Sequence, residues 1–212
     1  MPGQPLILDD VKISLGGKQL VAVSARVEPG AVLTIMGPSG SGKSSLVAYI
    51  GGFLDPVFDA TGRVLSGETD LTGLPAEQRH AGILFQDALL FPHMSVCANI
   101  AFGVPASVRG RAARAAIAEA ALTGVDLAGF GERDPDTLSG GQKTRVALAR
   151  VLVSAPRALL LDEPFSRLDA GLRDQMRQLV FDKARANGLP VILVTHDQED
   201  ASAAAGDVLR VG

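Results

Sequence analysis

A chain of 212 residues is long enough to bury a core as one large domain or as a domain with an inserted lobe. Hydrophobic residues make up 47% of it and charged residues 20%, which excludes a disordered chain. The net charge of −3 gives no general attraction to nucleic acid, the single Cys97 excludes an internal disulfide or a cysteine metal cage, and no apolar run approaches the ~20 residues of a membrane span.

The opening "MPGQPLILDD" lacks the charged-then-apolar pattern of a secretory signal. From Leu6 to Gly30 the residues alternate, with turn signals at Gly16–Gly17 and Pro29–Gly30, which predicts an antiparallel β region. "AVLTIM" (31–36) is a continuous apolar run of strand length, followed by "GPSGSGKS" and then by a stretch of helical spacing from Lys43. Residues 62–71 read as a strand and turn, Pro75 opens a short helix, and "AGILF" (81–85) returns to strand.

From about Phe91 to Val153 the chain is mostly helix-forming, with "GERDPDTLSGG" as an interrupting loop, and reads as an inserted helical lobe. Arg109, Arg111 and Arg114 cluster there on an Ala-rich stretch and read as a solvated helix face; Cys97 reads as buried packing. "RALLLD" (157–162) and "PVILVT" (190–195) are buried strands separated by a helix over Ala170–Ala186, and with 31–36 and 81–85 they make a mainly parallel core sheet.

Strand, glycine loop and helix are the context in which G-x-x-x-x-G-K-S binds phosphate. Gly37, Pro38, Ser39, Gly40, Ser41 and Gly42 let backbone N–H groups curl around phosphate oxygens, Lys43 reaches the β- and γ-phosphates, and Ser44 offers its hydroxyl to Mg²⁺. Ser45, next in the helix, joins this nucleotide-binding set. Asp162 and Glu163 end an apolar strand on the side where open α/β sheets bind ligands. Asp162 is the acid for magnesium and Glu163 the group that polarises the attacking water.

With "LSGGQ" (Leu138, Ser139, Gly140, Gly141 and Gln142) added, the chain resembles the nucleotide-binding subunits of ABC (ATP-binding cassette) transporters over nearly its whole length. The resemblance implies an α/β P-loop NTPase fold in one domain. Its RecA-like core would take about 1–87 and 155–212, with the antiparallel β region at the N-terminus and the helical lobe at about 88–154. It implies ATP and Mg²⁺ as ligands and a dimer, expected to be a homodimer, in which "LSGGQ" of one chain meets the γ-phosphate held by Lys43 of the other. It further implies that Gln86 touches Mg²⁺ and the membrane partner, that His196 contacts the γ-phosphate, and that Asp169 of "SRLDA" lies across the dimer interface.

Two departures stand out. Arg167 occupies a place where alanine is commoner, and Leu15 falls where an aromatic residue commonly stacks on adenine, so weaker base discrimination or ATP affinity is expected. Residues 86–103 resemble the segment that follows the glutamine in bacterial importer ATPases for sugars, polyamines, sulfate, iron or thiamine. Leu89, Leu90, Phe91 and His93 are then candidates for a groove receiving a permease helix, although local packing explains the same apolar pattern. The implied role is an ATPase subunit at the cytoplasmic face of the membrane, working with a permease and indirectly a solute-binding protein, with no nucleic-acid partner. The chain stops at Gly212, so an added C-terminal regulatory domain is not expected. A soluble ABC ATPase, an exporter subunit and a P-loop kinase are the rival readings; "LSGGQ" counts against the last.

Overall fold

The computed structural model describes residues 3–212, so Met1 and Pro2 of the opening segment lie outside the described residues. Two sheets form. The first is antiparallel and contains β1 (Leu6–Leu15), β2 (Lys18–Val27), β4 (Phe58–Ser66) and β5 (Thr69–Asp70) in the order β2-β1-β4-β5. Gly16 and Gly17 turn β1 into β2 with φ of 56° and 79°, a left-handed turn that glycine adopts without strain. Strand β4 begins at Phe58, earlier than the sequence pattern marks it, because its first residues pair with the end of β1 rather than showing an apolar run of their own.

The second sheet is parallel, in the order β6-β7-β8-β3-β9, from β3 (Val32–Met36), β6 (Ala81–Phe85), β7 (Ala158–Asp162), β8 (Val191–Thr195) and β9 (Asp207–Arg210). Its central strands are apolar on both faces, as helices on both sides require. Strand β9 pairs with β3 and was not legible as a strand. It is a short, mostly exposed edge with no apolar run.

Helix α1 (Lys43–Gly51) follows the glycine loop, and α2 (Ala76–Arg79) follows Pro75. The helical segment contains α3 (Val96–Gly103), α4 (Arg111–Thr123) and α5 (Gly140–Val153), with a 3₁₀ turn at Pro135–Thr137. Here Arg114 departs from the expected solvated face. Its guanidinium turns inward and donates to the carbonyls of Ala101, Val104 and Pro105 at 2.8, 2.8 and 3.0 Å, satisfying the C-terminal end of α3. Cys97 is buried, and burial pushes its thiol up to about 11.

Helices α6 (Ala170–Ala186) and α7 (Gln198–Ala204) flank β8 in sequence. Between them lies a buried ion pair: Arg177 and Asp200, 5% and 4% exposed, approach to 2.6 Å, and Thr195 at the end of β8 donates its hydroxyl to the other Asp200 oxygen at 2.7 Å. Removing one partner leaves the other charge uncompensated away from water. Arg177→Met is therefore expected to destabilise the fold by about 3 kcal/mol. The double variant Arg177→Met/Asp200→Leu is expected to recover most of that loss, both read as urea unfolding midpoints.

Candidate functional site

The parallel strands β6, β7, β8 and β3 end within one residue of one another. Phe85 of β6 is paired with Asp162 of β7, Asp162 with Val194 of β8, and Met36 of β3 with Thr195 of β8. The strand ends and the residues that follow them thus stand in a row along the carboxyl edge of the sheet: Gln86, then Asp162 and Glu163, then His196, then the loop from Gly37. At about 4.8 Å per strand the row spans roughly 15 Å, the scale of a nucleoside triphosphate with its ion.

In the glycine loop, Gly42 caps α1 at φ 85°, and a Cβ there would lie 2.8 Å from Val21 and 2.9 Å from Leu20. Glycine is thus required twice over, by backbone conformation and by the close approach of β2. Lys43 is buried within the loop and donates to the carbonyls of Gly37 and Pro38, each at 2.8 Å. Those two bonds hold its ammonium over the loop and leave a third N–H for an anion. The N-terminal N–H groups of α1 face the same place, where the helix dipole favours negative charge.

Ser44 donates its hydroxyl to Asp162 at 3.1 Å. Burial pushes the Asp162 carboxyl above its usual range, opposed by the bond from Ser44. A hydroxyl beside a desolvated carboxylate is a hard-oxygen set suited to Mg²⁺, whose charge would offset that desolvation. Gln86 is exposed and lines a cleft of about 520 Å³ with Ser39, Ser44, Asp162 and Glu163.

Glu163 takes a left-handed backbone, φ 48°, which costs a non-glycine residue on the order of 1–3 kcal/mol. The conformation is held by its N–H, which bonds the Val194 carbonyl at 2.9 Å, and by its carbonyl, which accepts from the Ser166 hydroxyl at 2.9 Å. The turn aims the carboxylate at His196, whose Nδ1 lies 3.0 Å from Glu163 Oε2.

The segment 138–142 is elsewhere. Ser139 caps α5 in a reciprocal box: its hydroxyl accepts from Gln142 N–H at 3.3 Å and its own N–H donates to the Gln142 side chain at 3.0 Å. Gly140 and Gly141 therefore form the first turn of the helix and do not precede it as a loose loop. Gly141 packs under Leu172, which a Cβ would meet at 3.0 Å. Leu138 is buried, while Ser139 and Gly140 are exposed. None of residues 138–142 lines the clefts around the Lys43 loop. Asp169 is also exposed and caps α6, accepting from Leu172 N–H at 3.0 Å.

Three residues that the sequence did not single out shape the surroundings. Phe58 is the cross-strand partner of Leu15, and both line a cleft of about 380 Å³ with Leu20, Gly42, Lys43, Ser44 and Glu163. Asn99, fully buried, exchanges bonds with both backbone groups of Phe91 and donates to the Met94 carbonyl, fixing the 91–95 turn. Arg150 donates to the carbonyls of Ala88 and Leu89, which props Leu89 outward at 58% exposure. No sequence pattern reveals such roles: the partners of Phe58 and Arg150 lie on another strand or far away in sequence, and those of Asn99 are backbone groups that only the folded turn brings to it.

Comparison with known proteins gives a concordant picture. Residues 20–166 match the family model described as ABC transporter, a range that holds the Lys43 loop, Gln86, residues 138–142 and the Asp162–Glu163 pair. The chain is 47% identical over 199 residues to YnjD of Escherichia coli K12, an uncharacterised ABC transporter ATP-binding protein, covering 93% of this chain and 91% of that one. It is 45% identical over 206 residues to the Fe(3+) ions import ATP-binding protein FbpC 3 of Rhodococcus jostii, covering 96% of this chain but only 58% of that longer protein. Among solved structures it is similar to cbiO1 of Clostridium perfringens, part of the ABC transporter complex cbiONQ, with a TM-score of 0.84 and 26% identity over 99% of this chain and 85% of that one. The chain belongs to the ABC transporter family, among the ATP-binding subunits, which are ATPases coupled to transport.

Proposed function

We propose that the chain is the ATP-hydrolysing subunit of an ABC importer, in which two copies enclose two MgATP molecules and drive a separate membrane permease. The observation that carries this reading is the division of the site. The phosphate loop, the two acids, Gln86 and His196 share one sheet edge, while Ser139, Gly140 and the start of α5 lie apart with an exposed helix N-terminus. A second copy supplies to the first what the first cannot supply to itself.

Phosphates lie on Gly37–Ser45, with Lys43 on the β- and γ-groups. Ser44, Asp162 and Gln86 would hold Mg²⁺, which would supply positive charge against that of the phosphates. Glu163 orients a water and takes its proton as the water oxygen attacks phosphorus and the bond to the bridging oxygen breaks. With Nδ1 of His196 turned to Glu163, its other ring nitrogen is left for a γ-phosphate oxygen. Leu138–Gln142 of the partner copy closes over the γ-phosphate, and Asp169 lies against the partner.

The base rests on the apolar side of the 380 Å³ cleft, formed by Leu15, Leu20 and Phe58. Leu15 offers no π-face, but its neighbour Phe58 does. The core carries these groups on residues 1–87 and 155–212, and helices α3–α5 within 88–154 form the lobe that presents Leu89, Leu90, Phe91 and His93 to the permease. Exposed Leu89 and Phe102 support that surface, at 58% and 63% exposure, with Phe102 ring-to-ring against Phe91 at 4.8 Å. No helix among the described residues is long and apolar enough to cross a membrane, so the subunit would be held at the cytoplasmic face by its permease. Relatives named for iron and taurine import favour uptake over export. A solute-binding protein would act only through the permease.

Glu163→Gln is expected to lower steady-state ATP turnover by about a hundredfold or more while ATP binding persists and a dimer accumulates on size-exclusion chromatography with ATP. Retained turnover would remove Glu163 as the base. Ser139→Arg is expected to reduce turnover by about a hundredfold without weakening nucleotide binding by the single chain, and an unchanged rate would argue against a shared site. Phe58→Ala is expected to weaken ATP binding about 5- to 100-fold in calorimetric titration, while inorganic tripolyphosphate binds as before. Equal losses for both ligands would place Phe58 in the frame of the site and away from the base.

A further inference from the structure

Asp169 lies before α6 and His196 lies after β8, far apart in sequence, and one guanidinium joins their loops. Arg173, in the first turn of α6, donates through Nη2 to the Leu168 carbonyl and through Nη1 to the Asp197 carboxylate, each at 3.0 Å. Leu168 immediately precedes Asp169, and Asp197 immediately follows His196.

Both ends of this link are fixed to the groups they flank. On one side the Arg173 N–H bonds the Asp169 carbonyl at 2.9 Å and the Leu172 N–H bonds the Asp169 carboxylate at 3.0 Å. On the other, the Asp197 N–H bonds the Thr195 hydroxyl at 3.0 Å, and the Asp197 carboxylate caps α7 through the Glu199 N–H at 2.7 Å. The backbone on both sides of His196 is therefore pinned to the buried Arg177–Asp200 pair, and a displacement of either loop acts directly on the two bonds of Arg173.

Stability alone is a poor account of this arginine. Asp197 already has the Arg177 guanidinium at 3.5 Å and its capping role, and Arg173 Nε is buried without a partner among the described residues, a penalty of about 1–3 kcal/mol. What Arg173 adds is a planar fork that spans a carbonyl and a carboxylate at once, a geometry a lysine ammonium does not reproduce. The neighbouring Arg167–Asp87 pair also reaches between loops, but its side chains are 60% and 52% exposed, and such pairs contribute about 0–1 kcal/mol. Arg173 and Asp197 are only 26% and 24% exposed.

We propose that Arg173 is a positioning residue that ties the Asp169 loop to the His196 loop, so that closure of a second copy on Asp169 is transmitted to the His196–Glu163 pair. The proposal rests on the assignment of those residues to the interface and to hydrolysis. In the full chain, Arg173→Ala is expected to lower the kcat for MgATP about tenfold or more with the KM within about twofold of the parent, as for displaced catalytic groups. Arg173→Lys is expected to restore little of it. Asp197→Asn, which keeps the cap on α7, is expected to lower kcat in the same direction. Once Arg173 is alanine, Asp169→Ala is expected to cause little additional loss, because the link it acts through is gone.

An unchanged kcat in Arg173→Ala, full rescue by lysine, or losses from Arg173→Ala and Asp169→Ala that multiply independently would each overturn the proposal. Glu163→Gln and His196→Ala measured alongside separate the two levels. If they retain turnover, the assignment of the hydrolytic groups fails; if they lose it and Arg173→Ala does not, only the link fails.

Discussion

The ending of four parallel strands within one residue of a common level is the constraint on which the rest of the molecule depends. Parallel pairing in register sets Phe85, Asp162, Val194 and Ile35 at one height, with the Met36–Thr195 pair one residue beyond, so the residues that follow the strands emerge at the same edge. Five groups with little to say individually, a glutamine, two acids, a histidine and a glycine loop, become a row of the right length for a triphosphate. A one-residue slip in any strand would turn its side chains to the other face and move its loop by about 3.3 Å, comparable to a whole hydrogen bond. The double-sided burial of β3, β7 and β8 is what prevents that slip.

The row is completed by residues whose backbones are held in unfavourable or crowded conformations. Glu163 at φ 48° and Gly42 at φ 85° both sit where strand gives way to loop, and each is secured by a neighbouring strand: Val194 for Glu163, Leu20 and Val21 for Gly42. The strain at Glu163 is small beside the burial of the sheet beneath it, so the fold tolerates it and the carboxylate gains a fixed direction. The same economy appears at Asp162, where burial raises the carboxyl and a hydroxyl at 3.1 Å answers only part of the cost.

Much of this was legible in the sequence because it is local. A continuous apolar run, a glycine loop and helical spacing identify strand, loop and helix without any knowledge of neighbours, and the helix at Ala170–Ala186 has the bounds its spacing predicts. What was not legible depends on partners that only the fold brings together. Strand β9 exists because β3 offers it an edge; Arg114 turns inward because α3 ends beneath it; Phe58 reaches the cleft because β4 pairs with β1. The sequence likewise places Gly140 and Gly141 beside a helix, and only the reciprocal bonds of Ser139 and Gln142 put them inside its first turn.

The distribution of charge beneath the row distinguishes a frame from a joint. Arg177 and Asp200 are almost fully buried and fasten β8 to α6 and α7 at close range, so separating them exposes a charge to an apolar interior. Arg173 sits one turn nearer the site, partly exposed, with longer bonds to a carbonyl and to a shared carboxylate. Bonds of the first kind fix elements of the core to one another, whereas those of the second join two loops at partial exposure. A sheet edge that keeps its groups in line while, as proposed, the loops beyond it respond to another copy of the chain would need both, in that order from the core outward.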